Sequence, residues 1–428
     1  MTPNPAVVTR RKLLALRVAV PALIVIGVAA YVGYPRWRAE RDVDEAVRLA
    51  DHFEYAAAKV RLAAVLAGHS DHARARFQMA RVCRRAEDLP AAALYLRDAA
   101  KLGWPPAEIE LERHLAEAQA VGPQGANERT LKLFVQTNSP DDKLILEAMA
   151  IGYRNVHYLE AAVGSYALWI DRYPDDWPPR LGRAAVLEYF EQYPAAEEDY
   201  LAVLATNPGN ADARRRYGSL LLHQKKDTAA AAPHFAAVLE KDPADREAAL
   251  GMAECELAAG RPDAARQLTD RVRARVPNDP AANLTRARIE VADGRGAEAG
   301  PWVAKASRNP PDDPTSLYQL SQVCSAAGRP ADAARHLARF TELSAGLAEA
   351  AALYKRVLRE PKNPDLRRQL GDVHRKLGRA EVALPWYFSA LAEDPGHAAT
   401  HRALAEYFDA AGDRQQADGH RRRAGPAK

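Results

Sequence analysis

Residues 364–395 read PDLRRQLGDVHRKLGRAEVALPWYFSALAEDP. Gly378 predicts a turn in the middle of it, because only glycine enters the left-handed backbone region at little cost. Pro395 predicts the end of the second half, because proline cannot donate to a helix and holds its predecessor extended. The stretch therefore predicts two helices of roughly 12–14 residues joined by a tight turn.

The turn glycine recurs at a fixed spacing. Gly260, Gly294 and Gly328 follow one another at a constant interval, and the same interval separates Gly378 from Gly412. An alanine stands five positions after each of these glycines, and a small side chain there allows two helix axes to approach closely. These alanines are Ala265, Ala299, Ala333, Ala383 and Ala417. The fixed period predicts an array of stacked helix pairs.

A second ladder is made of prolines and has nearly the same period as the glycines. Pro174, Pro208, Pro243, Pro277 and Pro311 follow one another at this interval, to within one position. Pro361 and Pro395 are separated by the same interval. Each proline is predicted to end the second helix of its pair.

The stretch from Pro364 to Pro395 resembles the tetratricopeptide-repeat family. The family's motif positions fall on Leu370, Gly371, Gly378, Ala383, Tyr387, Ala390 and Pro395. His374 departs from the pattern, since the family prefers an aromatic residue there. The resemblance covers roughly residues 39–420. It implies an all-α fold, a right-handed superhelical solenoid of antiparallel helix pairs.

The repeat phase divides the chain into segments. Residues 35–142 are predicted to hold divergent units, of which 107–142 is degenerate, and residues 143–346 a regular array. The interval from Gly328 to Gly378 exceeds one repeat by the length of a single helix. This extra helix is placed at 347–361, and the alternative is that it fuses with the preceding helix. Residues 362–428 form a C-terminal pair with a basic tail.

The N-terminal region has a different composition. After a short basic tail, residues 1–12, residues 13–34 read LLALRVAVPALIVIGVAAYVGY, and their one charge is Arg17. A helix of this length just spans a bilayer, at about 1.5 Å per residue. We therefore expect one transmembrane anchor preceding the solenoid. A cleaved signal peptide and a buried core helix are the alternatives.

The orientation of the predicted anchor depends on its flanking charges. Four basic residues stand on each side, so the positive-inside count is a tie. They are Arg10, Arg11, Lys12 and Arg17 on one side and Arg36, Arg38, Arg41 and Arg48 on the other. A short basic tail before a long hydrophilic chain favours a cytoplasmic N-terminus. The repeats are then expected on the non-cytoplasmic, periplasmic side.

Composition and motifs argue against several functions. The chain has 60 basic and 56 acidic residues, which does not give the dense basic stripe of a nucleic-acid-binding protein. Common nucleophile, metal and phosphate-loop motifs are absent from the sequence. We expect no enzyme activity, cofactor, metal, nucleic acid or small-molecule substrate. The histidine pairs His69 and His72, and His397 and His401, each lack a third ligand nearby.

Cysteine spacing also argues against a metal or redox site, because no CxxC pair occurs. The three cysteines fall on first-helix positions of their units, where cysteine behaves as a small buried apolar residue. They are Cys83, Cys255 and Cys324.

The family resemblance implies a binding surface on the inner, concave face, lined by chosen positions of the first helix of each unit. In three units these positions carry polar side chains. They are Arg154 and Asn155, then Arg216, His223 and Gln224, and finally Arg368, Asp372, Arg375 and Lys376. The expected partner is a protein or peptide, held at a membrane by residues 13–34. The alternative function is an accessory or assembly subunit of an envelope biogenesis, secretion or cytochrome-maturation system.

Overall fold

The computed structural model describes residues 36–123, 125–136 and 139–425, which form helices joined by turns and contain no strand. The predicted all-helical solenoid is confirmed over these residues. The segment 13–34 lies outside them, and so does the anchor predicted there. Among the described helices, none combines the length and the apolar character needed to cross a membrane.

The chain divides between Ala120 and Val121 into two compact units. The boundary falls inside the segment 107–142, the degenerate unit of the sequence. In unit 1 the helices are α1 (36–51), α2 (Tyr55–Gly68), α3 (Ala73–Arg85), α4 (Leu89–Lys101) and α5 (Pro106–Val121).

In unit 2 the helices follow one another in pairs separated by short turns. They are α6 (Gly125–Gln136), α7 (Asp142–Asn155), α8 (Leu159–Arg172), α9 (Pro178–Tyr189), α10 (Tyr193–Thr206), α11 (Ala211–His223), α12 (Thr228–Lys241), α13 (Arg246–Ala258), α14 (Pro262–Arg275), α15 (Pro280–Ala292), α16 (Gly296–Arg308), α17 (Pro314–Ala326), α18 (Pro330–Arg359), α19 (Pro364–Lys376), α20 (Ala380–Glu393), α21 (Ala398–Ala410) and α22 (Arg414–Ala424). From α7 onward we call the odd-numbered helices A helices and the even-numbered ones B helices.

Unit 1 contains a buried charge cluster beside its apolar core. Glu112 is buried and accepts hydrogen bonds from Arg84 Nε at 2.8 Å and Arg81 Nε at 2.6 Å. Arg84, also buried, donates a further bond to the Gln119 side-chain oxygen at 3.0 Å. Removing one partner of such a pair leaves a buried charge uncompensated, at about 3–5 kcal/mol. This cluster therefore fixes α5 against α3.

The turns within the pairs confirm the glycine ladder. All five ladder glycines have φ between 70° and 82°, the left-handed conformation that glycine adopts without strain. Five earlier turns use other residues in the same conformation, with Phe53 at φ of 64° and Glu87 at φ of 60° in unit 1. His157 and Glu191 have φ of 57°, and Lys226 has φ of 56°. The turn geometry is therefore kept where the glycine is missing, which explains why the ladder fades toward the N-terminus.

The B helices confirm the proline ladder. In seven of those described, the residue after the helix has φ between −126° and −136°, and a proline follows it. The proline forces that residue out of the helical region, so the helix ends. One position needs correction, because α16 ends at Arg308 and the proline in register is Pro310 rather than Pro311.

Aromatic rings of B helices pack on glycines of A helices. A Cβ atom on Gly371 would lie 2.5 Å from the Tyr387 ring of the same pair. A Cβ on Gly251 would lie 2.5 Å from the Phe235 ring of the preceding pair. These glycines serve close approach of the helices rather than turns. The Leu-Gly pair at 370–371 has the packing role that its motif predicts.

The extra residues between Gly328 and Gly378 belong to one long helix. α18 runs without interruption from Pro330 to Arg359, 30 residues, so residues 347–361 do not form a helix of their own. The alternative in which this segment continues the preceding helix is the one observed. Between 343 and 347 the sequence has no proline, and Gly346 is helical and packs against Leu377 instead of making a turn. α18 consequently packs on both α17 and α19.

Candidate functional site

The A helices line the inner side of unit 2. Successive A helices contact one another, as in α11 with α13, α13 with α15 and α15 with α17. Successive B helices make no comparable contact in the described part of the chain. In a curved stack, the elements that approach most closely lie on the shorter, concave side. The concave face is therefore built from α7, α9, α11 and the A helices that follow.

A polar groove lies on this face where three A helices meet. It has a volume of about 520 Å³ and draws its residues from α9, α11 and α13. Its lining residues are Glu188, Asp212, Arg215, Arg216, Ser219 and Glu247. We call it the A-helix groove. Acids and arginines alternate along it, so it presents both charge signs to a bound chain.

Arg216, one of the predicted binding residues, is exposed in the A-helix groove and bonds Glu188 Oε2 from Nη1 at 3.1 Å. Burial raises the pKa of the Glu188 carboxyl, and the nearby Arg216 guanidinium offsets part of that rise. Arg215 pairs with Asp245 at 2.9 Å, just before the next A helix. The groove thus has a fixed set of charges held by neighbouring units.

The other predicted residues lie on A helices at separate places. His223 and Gln224 are exposed at the C-terminal end of α11. Arg154, at the end of α7, donates from Nη2 to the Asn155 side-chain oxygen at 3.2 Å. The structure places these side chains along the array, while their role in binding stays a prediction.

The C-terminal group is partly engaged within its own pair. Arg368 bonds Asp372 one turn away, and Asp372 also accepts from the Tyr387 hydroxyl at 2.8 Å. Arg375 reaches Glu406 of α21 at 3.0 Å. Lys376 is exposed at the end of α19. Of this group, Lys376 is the exposed side chain, while Arg375 is half-buried and paired.

Three of the four histidines in the predicted pairs have structural partners. His72 accepts the Ala75 amide hydrogen bond at the start of α3. His401 lies 2.9 Å from His420, measured between Nδ1 atoms, and 2.9 Å from the Pro395 carbonyl. His397 contacts Thr400 at 2.7 Å. The described residues contain no group of three or more side chains suited to hold a metal ion.

The cysteines are buried on α3, α13 and α17 and form no disulfide. Burial raises the pKa of each thiol, as expected for a small apolar filler.

Sequence reasoning missed a contact that closes unit 2 on itself. The turn between α7 and α8 meets α19 and α20, where Tyr158 donates a hydrogen bond to Glu393 and its ring lies under the Arg367 guanidinium. Further along, Tyr354 of α18 donates to Glu160 of α8. We call this set of contacts the closure.

A cavity of about 860 Å³ lies within the closure. Aliphatic and aromatic side chains form much of its wall, and Phe190 and Tyr354 stack there with ring centres 5.2 Å apart. Two histidines, His157 and His374, also line it. Two signals in the sequence could have marked it. His374 stands where an aromatic is typical, and His157 stands at a turn position that glycine occupies in later units.

Comparison with known proteins agrees with this architecture. Residues 181–246 and 318–398 match one family model of the tetratricopeptide repeat, and residues 222–289 match another. The helix pairs within residues 181–289 and 318–398 therefore match the tetratricopeptide repeat. No curated protein matches the chain in sequence.

Solved structures with similar folds include a tetratricopeptide-repeat protein from Parabacteroides merdae. Its sequence is 20% identical over the match, which covers 55% of this chain and 92% of that one with a TM-score of 0.46. The type IV pilus biogenesis factor PilW is 22% identical in sequence. Its match covers 47% of this chain and 93% of PilW, with a TM-score of 0.40. YrrB, described as having an unusual peptide-binding site, is 20% identical in sequence. Its match covers 44% of this chain and 95% of YrrB, with a TM-score of 0.38.

Proposed function

We propose that this protein is a scaffold that binds a polypeptide partner on the concave face of unit 2. The observation that carries the proposal is the A-helix groove, which crosses three consecutive A helices and holds alternating charges. A rigid curved array offers a long surface for an extended peptide or a helix. The partner is expected to present both acidic and basic side chains, complementary to Arg216 and to the acids around it.

The scaffold proposal is tested by crosslinking from a chosen position. A photo-crosslinking amino acid replaces His223, exposed at the C-terminal end of α11, in the full-length protein inside cells. A matched replacement at Leu201, exposed on the B helix α10, is the control. The proposal predicts a discrete protein adduct from position 223 and none from position 201. Equal adducts from both positions, or none from either, would contradict it.

We further propose that residues 13–34 anchor this scaffold in a membrane and that the repeats lie on its non-cytoplasmic side. The support is the long apolar run of this segment, which has a single charge and is preceded by basic residues. Anchoring raises the effective concentration of the groove toward partners in the same membrane.

Membrane fractionation of the full chain and of a variant lacking residues 1–34 tests the anchor. The full chain is expected to resist carbonate extraction, while the shortened chain is released. Protease added to intact spheroplasts should degrade the repeats if they face outward. A full chain that is released by carbonate, or repeats that stay protected, would overturn the respective part of the proposal.

A further inference from the structure

The cavity in the closure combines parts of the chain that are distant in sequence. The two turns at 157 and 189–192 come from the first pairs of unit 2, and α18 with His374 of α19 supplies the opposite side. Its volume of about 860 Å³ falls within the range typical of small-molecule sites. It shares no lining residue with the A-helix groove.

Ring nitrogens of the two histidines in this cavity lack hydrogen-bond partners. His374 is 3% exposed, and neither of its ring nitrogens is hydrogen-bonded. The Nδ1 atom of His157 is likewise buried and unpaired. Burial lowers the pKa of both rings to about 4, so both are neutral near pH 7. A neutral imidazole has one N–H donor and one acceptor nitrogen, and leaving them unmatched in a buried site is unfavourable.

Apart from four charged residues and one glutamine, the rest of the wall is apolar, with more aliphatic than aromatic side chains. Tyr189, Phe190 and Tyr354 contribute rings, and the wall is extended by aliphatic side chains such as Leu347 and Leu358. Rings of this kind favour a flat aromatic ligand in stacked or edge-on contact.

The charged residues of the lining balance one another. Lys355 and Arg379 supply positive charge, and Glu160 and Glu191 supply negative charge. Glu160 already accepts the Tyr354 hydrogen bond, and Arg379 lies 3.3 Å from Asp312. The lining therefore has no net formal charge to attract an ion, which favours an uncharged ligand.

The position of His157 adds to the case. It occupies the left-handed turn conformation, with φ of 57°, as Glu191 and Lys226 do in the next two pairs and as glycine does from Gly260 onward. A side chain at such a position carries a backbone penalty of about 1 kcal/mol or more. The histidine at 157, despite this penalty, places an imidazole in the cavity wall. The histidine at 374, where the repeat usually has an aromatic residue, places a second one there.

We propose that the cavity in the closure binds a small, uncharged hydroxyaromatic compound. The aromatic body would lie between the rings of Tyr189, Phe190 and Tyr354. Its hydroxyl would donate to the acceptor nitrogen of one imidazole and accept from the N–H of the other, which satisfies two of the three unpaired ring nitrogens. This is a ligand site and not a catalytic one, and it lies apart from the groove assigned to the polypeptide partner.

Three probes built on the same naphthalene ring test the proposal by titration with NMR detection, using the full-length protein. 2-Naphthol carries the hydroxyl, 2-methylnaphthalene replaces it with a methyl group, and 2-naphthoate replaces it with a charge. We expect 2-naphthol to bind saturably with a dissociation constant of about 0.1–1 mM, as for a fragment of this size. The other two probes should bind about tenfold more weakly.

Two variants locate the binding. His374→Phe restores the aromatic residue typical of the repeat and should fold, yet weaken 2-naphthol binding about tenfold without changing 2-methylnaphthalene binding. His157→Asn, which tolerates the left-handed conformation, is the second variant and should act in the same direction. His234→Phe, at a histidine of α12 outside the cavity, is the matched control and should leave binding unchanged.

The proposal would be overturned by the absence of saturable 2-naphthol binding to the unaltered protein. Equal 2-naphthol affinities in the unaltered protein and in His374→Phe would also overturn it, because binding would not involve the imidazoles. Tighter binding of 2-naphthoate than of 2-naphthol would show that the cavity prefers an anion, which would also overturn the proposal of an uncharged ligand.

Discussion

The guanidinium carbon of Arg367 lies 4.0 Å from the centre of the Tyr158 ring, although the two residues are far apart in the sequence. Arg367 is buried and also bonds the Ser389 hydroxyl at 2.7 Å and the Pro361 carbonyl oxygen at 2.7 Å. Tyr158 uses its own hydroxyl on Glu393, 235 residues further along the chain. This contact ties the start of unit 2 to α19 and α20, so the curvature of the array is held by specific side chains.

We expect Tyr158→Ala to lower the free energy of unfolding by about 2–4 kcal/mol, because it removes a desolvated cation–π contact, a hydrogen bond and ring packing. Tyr158→Phe keeps the ring and should cost about 1 kcal/mol. Leu201→Ala, at an exposed site of α10, should change stability by less than about 0.5 kcal/mol. Urea unfolding followed by circular dichroism measures all three. If Tyr158→Ala behaved like Leu201→Ala, the closure would not stabilise the protein.

Helix packing inside a pair predicts opposite effects at two helical glycines. Gly371→Ala would place a Cβ 2.5 Å from the Tyr387 ring and should destabilise by about 1–3 kcal/mol. Gly164→Ala, in α8, meets nothing within 4 Å and should stabilise by about 0.5–1 kcal/mol through helix propensity. Thermal or urea unfolding of the two variants gives the comparison. If both variants changed the free energy of unfolding in the same direction, the contact between Gly371 and the Tyr387 ring would not set how closely the two helices pack.

Acid is expected to weaken the closure through its two histidines. The pKa of His157 and of His374 is lowered to about 4, mainly by burial, and Arg379 lowers the pKa of His374 further. In the unfolded chain a histidine has a pKa of about 6.5, so the unfolded state binds more protons between about pH 6.5 and 4. Stability is therefore expected to fall as the pH drops through this window, by about 1–2 kcal/mol for each ring at pH 5.

His374→Phe provides the control for this pH effect, because other groups also titrate in acid. The stability difference between His374→Phe and the unaltered protein should grow in favour of the variant as the pH falls from 7 to 5. Urea unfolding at several pH values measures it. If the difference in the free energy of unfolding stayed constant from pH 7 to 5, protonation of His374 would not be the cause of the acid effect.

Much of the repeat geometry could be predicted from the sequence because its causes are local. Gly378 needs its left-handed turn and Pro395 ends its helix whatever the rest of the chain does. The closure could not be predicted, because the meeting of Tyr158 with Arg367 depends on small rotations summed over many helix pairs. The continuity of α18 depends on Gly346 packing against Leu377, a tertiary contact that overrides the usual reading of glycine as a helix end.

Binding of a polypeptide along the A-helix groove is best examined through the adduct yield from position 223 in two charge variants. Arg216→Glu reverses one charge of the groove, while Arg216→Glu with Glu188→Arg restores the internal pair in reversed order. The account predicts that the single change lowers the adduct yield about tenfold or more, and that the double change recovers stability without recovering the adduct. An unchanged yield in Arg216→Glu, or recovery of the adduct together with the restored pair, would contradict binding at this groove.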